Sequence, residues 1–187
     1  MADAHPQGRL TAAPFALVGH DAGQTSNGTA LVLAPLDPSL ASALAAAFAA
    51  MDPWAAYPYP ADALAAYLAG GNDAAPLFAV AAASTDSPGK VLGAVGLRLD
   101  WLRGPYIQFL GLLEEAQGSG IGGAVMAWIE TQARRAGARN LWVAASDFNA
   151  GALRFYGRHG FTRIADLPGL VRDDRSEVLL RKRLLQQ

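Results

Sequence analysis

The chain has 187 residues, a formal net charge of -1 and a sequence pI of about 6.3. With 52% hydrophobic and 17% charged residues it has the composition of one folded domain with a substantial core. The near-neutral balance removes the electrostatic case for a nucleic acid or an anionic membrane as obligatory partner, and the absence of cysteine removes disulfides, thiolate metal sites and a cysteine nucleophile.

Residues 1–28 mix Gly, Ala, Pro, His and polar residues without a sustained period, which predicts a loose N-terminal extension ahead of a domain at 29–187. The apolar stretch from Leu10 to Val18 is preceded by Arg9 as its single basic residue, beside Asp3, and is interrupted by Pro14, so it does not read as a signal peptide. No uncharged apolar run reaches the roughly 20 residues that span a bilayer. The expectation is a cytoplasmic protein without a membrane or nucleic-acid partner.

Leu31 to Leu33 suits a first strand, and Asp37-Pro38-Ser39 starts a helix over the alanine-rich segment 40–51. Asp52-Pro53 stops it. Tyr57-Pro58-Tyr59-Pro60 then forms a stiff aromatic loop before a short helix, Ala61 to Ala69, closed by Gly70-Gly71. Three apolar runs follow, Leu77 to Ala83, Val91 to Leu99 and Tyr106 to Leu113. Turn signals at Ser84 to Gly89 and at Arg103-Gly104-Pro105 separate them, which predicts an antiparallel meander.

After Gly120 the period changes: Ile121, Val125, Trp128, Ile129 and Ala133 share one helical face, Arg134 and Arg135 suit its negative end, and Gly137 sits at the C-cap. Leu141 to Ala145 reads as a buried strand, Asn149 to Arg158 as a helix closed by Gly160, and Phe161 to Leu167 and Glu177 to Leu184 as two last strands. The fold class is α/β of the α+β type, a single domain whose mixed central sheet of six or seven strands is flanked by helices.

Gln117-Gly118-Ser119-Gly120-Ile121-Gly122-Gly123 lies where a strand gives way to a helix. Its glycines let a ligand approach the backbone, and a helix start offers unpaired N–H groups and a partial positive charge to a pyrophosphate. A mononucleotide P-loop would need a lysine, which this turn lacks. Gly118-x-Gly120-x-x-Gly123 also satisfies the dinucleotide pattern, but the chain after Gly123 is too short for a doubly wound half-pair, and the preceding strands read as antiparallel. A glycine-rich connection serving only close strand–helix packing is the bland alternative.

Here the chain resembles the GNAT superfamily of acetyltransferases, whose signature Arg/Gln-x-x-Gly-x-Gly/Ala is matched in register by Gln117, Gly120 and Gly122. Leu110-Gly111-Leu112-Leu113-Glu114-Glu115-Ala116 looks like the family's cofactor-binding strand. Asn149-x-x-Ala152-x-x-Phe155-Tyr156-x-x-x-Gly160-Phe161 looks like its later helix, so the likeness covers about residues 106–161 and leaves 1–28 outside. The resemblance implies acetyl-CoA as acyl-donor cosubstrate and a primary amine, of a small molecule or peptide, as acceptor, with no metal. It implies a CoA site made by Leu110, Leu112, Gln117, Gly118, Ser119, Gly120, Ile121, Gly122, Gly123, Asn149, Ala152 and Tyr156.

By the same resemblance Tyr156 supplies the proton to the departing thiolate, and the Leu112 N–H faces the thioester carbonyl. A phenol with an ordinary pKa of about 10 remains protonated near neutrality and available to that thiolate. Tyr156 also reads as a core aromatic beside Phe155, and Asn149 as a helix N-cap. Glu114 or Glu115 at the strand end is the candidate base through water, or a solvated charge; Glu114 stands where relatives often carry proline. Met51 to Tyr59, with Asp52, and the pair Trp101 and Arg103 are candidate acceptor walls. His5, His20 and His159 are too scattered for a metal site. A non-catalytic CoA-binding sensor is the alternative function, and a homodimer is left open.

Overall fold

The computed structural model describes Phe15 and residues 20–25, 28–57, 59–83 and 89–184. Most of the extension expected at 1–28, His5, Pro58 and the turn expected from Ser84 lie wholly or largely outside the described residues. In chain order the elements are β1 (His20–Gln24), β2 (Ala30–Pro35), α1 (Pro38–Ala49), α2 (Ala61–Ala69), β3 (Leu77–Ala82), β4 (Val91–Arg98), β5 (Tyr106–Leu112), α3 (Ile121–Arg135), β6 (Asn140–Ser146), α4 (Ala150–Arg158), β7 (Thr162–Pro168) and β8 (Ser176–Arg183). They form one sheet in the order β1-β2-β3-β4-β5-β6-β8-β7. Every neighbouring pair is antiparallel except β5 and β6, which are parallel.

The mixed sheet has eight strands rather than the expected six or seven, because residues 20–24 of the segment read as loose form an edge strand on β2. His20-Asp21-Ala22-Gly23-Gln24 is mostly exposed and carries no apolar alternation, so periodicity gives no signal. Its register shifts between Asp21 and Gly23, where the Asp21 carboxylate accepts the Gly23 N–H at 2.7 Å. A bulge of this kind is usual on an edge.

Alternation along the strands assigns the two faces. On β3, Leu77 and Ala79 pack with Leu44 and Phe48 of α1 and Leu64 and Leu68 of α2, whereas Phe78 and Val80 pack with Val125, Trp128 and Ile129 of α3. The α1–α2 pair therefore covers one face and α3 the other, as a period of two requires. Aromatic edges lock both layers: Phe78 and Trp128 meet at 5.2 Å, and Phe48 and Phe109 at 5.1 Å.

The helix ends follow their expected chemistry. Asp37 caps α1 by accepting the Ser39 N–H at 2.8 Å, with Pro38 in the first turn. At the end of α3, Gly137 takes φ 73° while the Ala138 N–H returns to the Ala133 carbonyl at 2.9 Å.

The site depends on β5. Gly96 pairs with Phe109 but Leu97 with Ile107, so Gln108 is an extra residue that bulges the strand. Parallel pairing to β6 is confined to Tyr106 with Trp142 and Ile107 with Val143. Past those pairs the two strands part.

Gly111, just beyond the parting, packs so closely that a Cβ there would lie 2.8 Å from the Phe48 ring and 2.9 Å from the Phe109 ring. Gly111→Ala is expected to lower the stability by about 1–3 kcal/mol through overpacking, read as a shift of the midpoint in denaturant unfolding at unchanged slope.

Candidate active site

The glycine turn follows β5 through a short 3-10 turn at Glu114–Ala116. Gly118 takes φ 71° and Gly120 φ 84°, left-handed conformations that glycine adopts without strain. The helical ladder of α3 begins with the Ala124 N–H on the Gly120 carbonyl at 3.2 Å, so the amides of Ile121, Gly122 and Gly123 precede it. Two side chains brace the turn from within: Ser119 Oγ donates to the Ala116 carbonyl at 2.6 Å and Gln117 Nε2 to the Leu112 carbonyl at 3.1 Å. A Cβ at Gly122 would lie 3.1 Å from the Phe155 ring, so α3 and α4 approach each other over that glycine.

This turn lines a cavity of about 590 Å³ whose other walls are Leu110 to Leu112 on β5 and Asn149 to Tyr156 along α4. A second cavity of about 230 Å³ opens where β5 and β6 have parted, between Ile107 to Leu110 and Val143 to Ser146. Pro53, Trp54, Leu110, Asn149, Ala152 and Tyr156 line both. The lining of the larger cavity runs from the start of α3 to β5 and that of the smaller one follows the sheet gap, with Tyr156 lining both.

Tyr156 is 7% exposed, and burial, with a smaller contribution from Tyr106, pushes its phenol above the ordinary tyrosine value. It therefore stays protonated throughout the neutral range. Asn149 accepts the Ala152 N–H at 2.9 Å and so caps α4; its oxygen is committed to the cap, and its amide hydrogens are the donors it has for the cavity. Directly after β5 the Leu113 N–H bonds to the Leu92 carbonyl of β4 at 2.9 Å. Successive N–H groups of a strand alternate in direction, so the Leu112 N–H points the other way, into the gap left by β6.

Of the expected site residues, Leu110, Leu112, Gln117, Gly118, Gly120, Gly122, Gly123, Asn149, Ala152 and Tyr156 line the large cavity together. Ser119 braces the turn from behind, and Ile121 points into the core. Glu114 is not brought there: the 3-10 turn carries it out to the surface, and it lines neither cavity. Glu115 is likewise exposed and faces Lys90 at 3.5 Å. Asp52 lines the large cavity rather than the small one, while Trp101 and Arg103 line neither.

Sequence reasoning missed Glu177, Ser146 and Tyr106 in the small cavity and Arg158 and His159 at the glycine end of the large one. Tyr57 donates to Glu177 Oε1 at 2.5 Å and lies 3.0 Å from Ser146 Oγ. Burial, then the Glu177 carboxylate, pushes the Tyr57 phenol up. No local signal marks Glu177, which is the second residue of β8 and meets a partner 120 residues away. The His159 ring lies 4.6 Å from that of Phe155, and burial with the nearby Lys182 and Arg158 charges holds its pKa below the usual value.

The sequence profile of the acetyltransferase (GNAT) family matches residues 40–161. No curated protein matches the chain. Among solved structures, Ard1 from Thermoplasma volcanium superposes with a TM-score of 0.65 at 17% identity, covering 83% of this chain and 98% of that one. A GNAT family acetyltransferase from Elizabethkingia anophelis with acetyl-CoA bound gives 0.51 at 16% identity, over 59% and 77% of the two chains. Nourseothricin acetyltransferase gives 0.52 at 25% identity over 59% of this chain and 65% of its own, so the likeness spans less than two thirds of that protein. The profile match extends over more than half of the residues and the fold is shared with these enzymes: the chain belongs to the GNAT family of acetyltransferases.

Proposed function

We propose that this protein transfers an acetyl group from acetyl-CoA to a primary amine by direct attack on the thioester. The observation that carries the reading is the position of Tyr156, a buried phenol at the junction of a cavity floored by helix-start amides and a second cavity opened by the parted strands. The donor set fits CoA. The amides at the start of α3 and the positive end of its dipole suit a diphosphate, Arg158 lines the same end, and Gly118 has no atom within 4 Å of where a Cβ would stand, so nothing obstructs approach to the turn. The amide hydrogens of Asn149 and the free edge of β5 suit the amide groups of the pantetheine arm, which passes the small side chain of Ala152.

Acetyl-CoA supplies the thioester carbon that the neutral amine attacks, the carbon–nitrogen bond forming as the carbon–sulfur bond breaks. The Leu112 N–H is the donor in this reading for the carbonyl oxygen as negative charge develops on it. Tyr156 gives its proton to the departing sulfur, and the extra proton on the new amide nitrogen passes through water to the phenolate and restores the phenol, so no covalent enzyme adduct is needed. Because Glu114 stands outside both cavities, no proton transfer is placed on it.

Titration with coenzyme A in a calorimeter is expected to give saturable heat at one site per chain; a flat titration would remove the reading. Tyr156→Phe is expected to leave CoA affinity within about threefold while lowering kcat by about 10²–10⁴, the usual size of a general-acid contribution. Since the phenol's pKa is raised and the acid must be protonated to act, kcat of the wild-type protein is expected not to fall from tyrosine deprotonation below about pH 10. A rate loss centred lower, absent in Tyr156→Phe, would contradict the assignment.

A further inference from the structure

The small cavity contains a buried acid whose purpose the acetyl-transfer reading alone does not supply. Glu177 is 7% exposed and lines that cavity at the start of β8. Its carboxylate has one hydrogen-bond donor, the Tyr57 hydroxyl on Oε1, and no Lys, Arg or His pairs with it among the described residues. The Tyr57 phenol occupies one site on the carboxylate, which keeps acceptor capacity for a donor that enters the cavity. None of the described residues lining the cavity is basic, so an acceptor bearing its own carboxylate or phosphate finds no counter-charge among them.

The mouth has the opposite character. Tyr59, Leu170 and Val171 are 48%, 59% and 46% exposed, large apolar side chains that a water-facing surface does not otherwise favour, and all three line this cavity. The loop after β7 that carries Leu170 and Val171 is fastened to the loop between α1 and α2: Arg172 Nη1 donates to the Ala56 carbonyl at 3.3 Å, while the same guanidinium is held by both oxygens of Asp174. Arg175 lies over the Phe148 ring at 5.2 Å, and that ring meets Tyr57 at 5.5 Å. The two loops thus clasp across one side of the cavity.

Resting on the acetyl-transfer reading, we propose that Glu177 is the seat of the acceptor's ammonium group and that the acceptor is a small, singly cationic primary amine with an apolar or aromatic body and no anionic group. Its nitrogen enters the volume of about 230 Å³ toward Glu177 and the junction at Tyr156, and its body rests against Tyr59, Leu170 and Val171. The clasped loops favour a compact ligand over an extended peptide, which would need an open backbone groove.

The test uses 2-phenylethylamine, its amino acid counterpart phenylalanine, its neutral isostere 2-phenylethanol and a short unblocked peptide. Calorimetric titration into the protein saturated with CoA is expected to show the amine binding, phenylalanine and the peptide binding at least about tenfold more weakly, and Glu177→Gln weakening the amine about tenfold or more, the scale of a hydrogen bond to a charged group. The same variant is expected to leave 2-phenylethanol binding and CoA affinity unchanged, and Glu177→Asp to recover part of the amine affinity; loss of all ligands together with a lowered Tm would mark a structural role and overturn the proposal. So would an amine affinity indifferent to Glu177→Gln, or a peptide preferred over the amine. Release of CoA from acetyl-CoA is read separately: binding that depends on Glu177 without turnover would uphold the seat and remove the transfer reading, whereas turnover indifferent to Glu177 would do the reverse.

Discussion

The architecture of the site follows from one constraint: β5 and β6 are hydrogen-bonded through only two residue pairs and then separate. In an ordinary parallel ladder the edges of Gln108 to Leu112 and Ala144 to Ser146 would satisfy each other. Parted, they leave backbone donors and acceptors that need other partners. The bulge at Gln108 turns the strand away from the ladder and also sets the alternation so that the Leu112 N–H faces the gap while the Leu113 N–H stays on β4. One inserted residue thus does two jobs, opening the sheet and aiming a donor into the opening.

A sheet interrupted at its centre must be held by its two halves. On one side β2 to β5 form an antiparallel meander clamped between the α1–α2 layer and α3, with Phe48, Phe109, Phe78 and Trp128 as its largest anchors. On the other, β6, β8 and β7 pair along nearly their whole lengths. The halves are tied above the gap by α3 and α4, which approach over Gly122 against Phe155, and by Glu130 of α3, which pairs with Lys182 of β8 and with Arg134. The glycines of the turn therefore serve packing and ligand access at once, and the two readings of that segment are not rivals.

What could be read in the sequence was local. The turn from Gln117 to Gly123, the cap at Asn149 and the phenol at Tyr156 each announce themselves within one helix length, and their spacing carries over into a shared cavity wall. The place of Glu114 could not be read, because strand length alone does not say where β5 ends: it stops at Leu112, and the 3-10 turn that follows leaves both glutamates exposed. The edge strand at 20–24 escaped because its pairing rests on main-chain bonds to β2 rather than on an apolar period. Glu177 escaped for a different reason, since its meaning lies in what surrounds it and its partner Tyr57 is 120 residues distant.

Low dielectric connects these parts. Burial raises the Tyr156 phenol and so keeps the proposed acid protonated, while Glu177, with no cation paired to it among the described residues, gives the small cavity a negative charge for a cation to meet. An apolar residue in place of that carboxylate would make the cavity a general apolar pocket, open to any body of suitable size. Retaining it favours ligands that bring one positive charge over bodies of the same size that do not, and it repels anions. An amine drawn in as its cation must then shed a proton before its nitrogen can attack, so a seat close to the phenol trades some nucleophilicity for selection and position.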